Sequence, residues 1–150
     1  MMRDKLSNAM KDAMKAKEAR RLSTVRLIQT AIKDRDIANR GLGKDPVSDD
    51  DILQILQKMI KQREESAKIY SEGGREELAE QEREEIAIIR SFMPEQMSDD
   101  QVLEACKGVI AEIGAQGLRD MGKCISVLKE RYAGQMDFAK ASAMVKDLLK

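Results

Sequence analysis

A chain of 150 residues that is 42% apolar has room for one or two small domains, each with a modest core. Its 27 Lys/Arg balance 27 Asp/Glu, and no uncharged stretch is long enough to span a bilayer. With no recognisable signal peptide and only Cys106 and Cys124 available for a disulfide, a membrane protein and a disulfide scaffold are both excluded, and the cytoplasm is the expected setting.

Aromatic residues make up 3% of the chain, so Met, Leu, Ile and Ala carry the apolar volume. These side chains lose little freedom in a helix, and the composition favours helix over sheet. In chain order, Leu6, Met10, Ala13 and Met14 mark a first helix, and Leu22, Val25, Ile28 and Ile32 mark a second. The apolar stripe runs from one into the other without a phase jump, so the pattern does not dictate a break near Lys17. Gly41-Leu42-Gly43-Lys44-Asp45-Pro46 reads as a loop. Ser48 is then a good N-cap for a third helix, with Asp49, Asp50 and Asp51 in the first turn, where the helix dipole favours anions. Ile52, Ile55, Leu56, Met59, Ala67 and Tyr70 form its buried face. Beyond the Ser71-Glu72-Gly73-Gly74 turn, a fourth helix runs to about Ser91 on Leu78, Ile86 and Ile89. The stretch Met93-Pro94-Glu95-Gln96 ends it and sets the boundary between two domains, 1–93 and 94–150. Ser98 with Gln101 reads as a capping box for a fifth helix bearing Val102, Cys106, Val109, Ile110 and Ile113. Two shorter helices follow, roughly 119–132 and 137–149. The expected architecture is all-α: a four-helix bundle, then a three-helix bundle.

Chemistry is conspicuous by what the residues leave out. There is no histidine, which removes the commonest general base, the Ser-His and Cys-His nucleophile arrangements and most zinc sites. Cys106 and Cys124 lack metal-ligand spacing and read as buried small hydrophobes. No phosphate loop or dinucleotide fingerprint occurs, so no cofactor and no metal are expected. Adjacent acids such as Glu84-Glu85 point to different sides of a helix and make a poor carboxylate pair. One pair breaks the hydrophobic pattern. Arg63 lies on the stripe of the third helix and Glu82 on that of the fourth, at similar distances from a turn centred near Gly73. A charge on a core stripe is costly unless partnered, so a structural ion pair Arg63–Glu82 is expected.

Charge is unevenly distributed. Residues 1–40 hold eleven Lys/Arg against five Asp/Glu, a balance of +6. Residues 41–93 hold eight against thirteen, and residues 94–150 eight against nine. Either the basic and acidic segments pack against and neutralise each other, or the basic one is offered to a polyanion.

Arg21-Leu22-Ser23-Thr24-Val25-Arg26, Lys61-Gln62-Arg63 with Ser66 and Tyr70, Gly74-Arg75 with Leu78-Ala79 and Glu82, Phe92-Met93-Pro94-Glu95-Gln96 and Asp120-Met121-Gly122-Lys123 together resemble the YqeY-like proteins in order and spacing. The likeness covers nearly the whole chain. The C-terminal half of that family is similar to the tail domain of the B subunit of the tRNA-dependent Asp/Glu amidotransferase, a tRNA-recognition module. The residues carrying the tail motif are Met121-Gly122-Lys123-Cys124-Ile125 and Gly134-Gln135-Met136-Asp137, with Gln135 and Met136 standing where a basic residue and a small one are usual.

The resemblance implies a tRNA-binding accessory protein whose partners are tRNA and a tRNA-charging or amidation enzyme. The label attached to the family, a carbon–nitrogen ligase with glutamine as amido donor, implies enzyme activity for which this chain shows no catalytic constellation. A helical protein–protein adaptor is the alternative. If tRNA is the ligand, the candidate contacts are Lys11, Lys15, Arg20, Arg21 and Arg26 in the first segment and Arg119 and Lys123 in the last. Arg119 and Lys123 share a face if Arg119 has entered its helix.

Overall fold

The computed structural model describes residues 1–150 and is all-helical. Seven α-helices follow one another: α1 (Met2–Lys15), α2 (Ala19–Gly41), α3 (Asp49–Glu72), α4 (Glu76–Arg90), α5 (Asp99–Ile113), α6 (Met121–Arg131) and α7 (Phe138–Leu149), with one 3-10 turn at Leu118–Asp120. The chain forms two compact units, Met1–Met93 and Pro94–Lys150. No helix is long and apolar enough to cross a membrane.

In the first unit, α4 packs chiefly along α3 and also against α2, while α1 lies on α2. The core joins Leu6 of α1, Val25, Ile28 and Ile32 of α2, Ile52, Leu56, Met59 and Ile60 of α3, and Ile86, Ile89 and Phe92 around α4. The loop before α3 is tied down at Val47. Arg3 donates from both terminal nitrogens to the Asp36 carboxylate at 2.9 Å, and Asp36 accepts the Val47 N–H at 2.8 Å. Arg3 also donates to the Val47 carbonyl at 3.0 Å. The Arg3 guanidinium and then the Val47 N–H hold the Asp36 carboxyl below its ordinary range.

Helix starts follow their sequence signals closely. Ser48 and Ser98 each close a reciprocal capping box, with Asp51 and Gln101 respectively. Each box is flanked by an apolar pair: Val47 and Ile52 are buried in the first core, and Met97 packs on the second core beside Val102. That arrangement is the hydrophobic staple, which fixes the angle at which chain enters helix.

Helix ends repeat one device. After α2, α3 and α5 the chain turns through a left-handed residue, Gly43, Gly74 and Gly114. After α2, for example, the Gly43 N–H donates to Arg40 O and the Lys44 N–H to Asn39 O, the paired bonds of a Schellman stop. The same motif ends α1. Lys17 N–H donates to Met14 O and Glu18 N–H to Ala13 O, but the left-handed position is occupied by Lys17 at φ 58°. A side chain there costs about 1 kcal/mol over glycine. The break between α1 and α2 is therefore made without the residue that normally announces it.

The ion pair on the α3–α4 stripe has a different carboxylate from the one expected. Arg63 Nε donates to Glu85 at 2.9 Å, with side chains 15% and 12% exposed, and Arg63 also donates to Met59 O at 3.2 Å. Arg63 and Glu85 are equidistant in sequence from Gly74, the left-handed residue of the turn. The expectation of Glu82 corresponds to a turn centred about one and a half residues earlier. Glu82 stands half-buried beside the pair. Burial first, and then the neighbouring Glu85 carboxylate, raise its pKa against the opposing pull of Arg63.

The second unit packs α5, α6 and α7 around Val102, Cys106, Val109, Cys124, Leu128, Met136, Ala141, Val145 and Leu149. Both cysteines are free and buried.

Candidate nucleic-acid interface

The cations named from the sequence fall into three groups in the structure. Lys11 and Lys15 lie on α1, exposed. They are four residues apart on one outer face, with no carboxylate in ion-pair range. Arg26 of α2 is also exposed and unpaired.

Arg20 and Arg21 are engaged within the first unit. Arg20 Nε is 3.5 Å from a Glu84 carboxylate oxygen. Arg21 is half-buried, its guanidinium 5.1 Å from the centroid of the Phe92 ring and 3.5 Å from Ser91 Oγ. A cation over the ring, beside the C-terminal end of α4, is favourable on both counts. Both arginines tie the basic segment to the acidic one, and the Arg20–Glu84 contact neutralises part of the charge asymmetry while Lys11 and Lys15 take no part in it. Glu84 and Glu85 do point to different sides of α4: Glu84 faces Arg20 and Glu85 faces Arg63.

In the second unit, Lys123 is exposed in the first turn of α6, and Arg119, also exposed, belongs to the 3-10 turn that runs into that helix. The α-helical spacing expected for the pair is therefore not met, because a 3-10 turn winds more tightly than an α-helix. Asp120 lies between them. Its carboxylate accepts the Gln116 N–H at 3.0 Å. That bond, with Arg119 and Lys123 nearby, lowers its pKa. Gly122 is exposed beside Lys123, and a methyl group there would meet nothing within 4 Å. No internal packing requires glycine at that position.

The second tail block is used internally. Gly134 O accepts from Gln96 Nε2, Gln135 O accepts the Met97 N–H at 2.8 Å, and Met136 is 2% exposed in the core. Met136 is thus committed to the packing of the second unit. A cleft of about 720 Å³ borders this turn, lined in part by Glu95, Asp100, Glu104 and Tyr132. Its three carboxylates disfavour phosphate.

The family described as Yqey-like protein matches residues 3–149. A Schizosaccharomyces pombe protein described as uncharacterized is 32% identical over 88 residues, 59% of this chain and 68% of its own length. The Saccharomyces cerevisiae protein named altered inheritance of mitochondria protein 41, mitochondrial, is 31% identical over 88 residues, which is 59% of this chain and 46% of that protein. Its namesake in Lachancea thermotolerans is 32% identical over 93 residues, 60% and 48% of the two chains. The chain thus spans about half the length of the latter two relatives. A match that takes in both helical units and all the motif blocks identified from the sequence makes this chain a member of the YqeY-like family.

Proposed function

We propose that this protein is a tRNA-binding accessory module that acts beside a tRNA-charging or amidation enzyme. The observation that carries the reading is the surface at the start of α6, where Lys123 is exposed next to the open Gly122. A glycine in the first turn of a helix weakens it by a few tenths of a kcal/mol or more, and nothing inside the protein needs it here. A ligand backbone approaching closely from outside would. The resemblance of residues 94–150 to a tRNA-recognising tail and the exposed cations of α1 point the same way. With few aromatic residues to stack on bases, recognition would rest on the shape and phosphates of folded RNA. The names of the Saccharomyces cerevisiae and Lachancea thermotolerans relatives attach them to mitochondria, and a tRNA-linked role suits any compartment that translates.

Salt titration of binding tests this. Wild type should bind folded tRNA with an affinity that falls steeply with salt, and Lys123→Ala should reduce the slope of log K against log salt by about 1. Equal, feeble binding to tRNA and to an unrelated hairpin, unchanged in the variant, would leave the adaptor reading in its place. Ammonia released from glutamine by the isolated chain, and abolished by a point substitution, would instead support the ligase reading.

A further inference from the structure

The strained residue at the α1–α2 corner and the unpaired lysines of α1 occur together. Lys17 takes the left-handed position that Gly43, Gly74 and Gly114 take after α2, α3 and α5. Its backbone bonds are those of an ordinary Schellman stop, so glycine would serve the fold better. Nothing in the core holds the Lys17 side chain, which is exposed. Unusual backbone conformations kept against local preference cluster at functional sites.

Before it, at the C-terminal end of α1, stand Lys15 and Lys11, like charges four residues apart, which repel in an isolated helix. Some cations elsewhere are paired, Arg3 with Asp36, Arg63 with Glu85, Arg90 with Glu64 and Arg131 with Glu112, while others such as Arg26 and Lys123 are exposed without an ion pair. Arg20 and Arg21, just past the corner, turn to Glu84 and Phe92. Lys11, Lys15 and Lys17 are left pointing to solvent with no carboxylate in range.

We propose that this corner, formed by Lys11, Lys15 and Lys17, is a second phosphate-contacting site that anchors the RNA backbone independently of Lys123. It rests on the RNA-binding reading and deepens it. Lysines act as compact point charges rather than planar forks, which suits phosphate without fixing its orientation. The corner carries no aromatic residue and would supply affinity without reading sequence. Choice among RNAs would then lie with the second unit.

The opposed effects of Lys17→Gly make the test. Removing the strain should raise the melting temperature by about 4 °C. Removing a phosphate contact should lower affinity for a fluorescent folded tRNA about five- to tenfold at 0.1 M salt, with the salt slope reduced by about 1. Lys17→Arg should keep the affinity. The double variant Lys11→Ala/Lys15→Ala, which leaves the corner backbone intact, should reduce the slope by about 2. If Lys17→Gly and the double variant bind tRNA as wild type does while Lys123→Ala is weakened, the corner is not a phosphate site and only the reading at α6 stands. If wild type fails to bind tRNA at all, both fall. Loss of binding to polyglutamate, with tRNA binding unchanged, would assign the corner to an acidic protein and overturn the RNA proposal.

Discussion

Glu85→Ala is expected to cost on the order of 3 kcal/mol of stability, because Arg63 would be left charged, mostly buried and without its carboxylate. The same loss is expected for Arg63→Ala. Replacing both residues by apolar ones of similar volume should cost less than either single change, since burying the pair already offsets much of its Coulomb attraction by desolvation. Denaturant unfolding of the three variants measures this. Three equal, sub-kilocalorie losses would mean that water screens the pair.

Glu82 should behave in the opposite sense. Its folded pKa lies above the ordinary value of 4.5, so its protonated form favours the folded state. That contribution is complete below the unfolded pKa and disappears as pH rises through the folded one. At neutral pH the ionised carboxylate is a liability beside Glu85. Glu82→Gln should therefore stabilise the protein at pH 7, with the gain vanishing as pH falls below the ordinary carboxylate range. Stabilisation that is constant from pH 4 to 8 would place its cause elsewhere.

The second large effect is expected in the smaller unit. Leu128 is fully buried where α5, α6 and α7 meet, and truncating a buried leucine to alanine costs about 3 kcal/mol through lost transfer energy and the remaining cavity. A unit as short as residues 94–150 has little stability in reserve. Leu128→Ala should strip hydrogen-exchange protection from the amides of α5, α6 and α7. Protection lowered by less than about 1 kcal/mol would show that the site collapses to fill the void.

The helices were readable because their signals are local. Ser48 and Ser98 declare their capping boxes within four residues, and the apolar stripes repeat with helical period. The α1–α2 break was hidden because Lys17 occupies a position that glycine marks elsewhere in the chain. The Arg63 partner was misjudged by one helical turn because it depends on which residue centres the α3–α4 turn, a fact of backbone conformation. The candidate cations were harder still. Sequence counts charges, but only packing shows that Arg20 and Arg21 face Glu84 and Phe92 while Lys11 and Lys15 face water. Lys123 stands out by its charge, its spacing from Arg119 and the resemblance, whereas Gly122 is only one residue of the same block. The openness beside them is visible only in three dimensions.

The placement of the two cysteines gives the protein a built-in stability gauge. Both thiols belong to the second unit, both are buried, and desolvation raises the pKa of each, so neither presents a reactive thiolate in the closed state. An alkylating reagent can reach them only when that unit opens. The first unit has no thiol of its own to contribute. The rate at which the native protein takes up such a label therefore counts excursions of residues 94–150 alone, without mutation or an added probe.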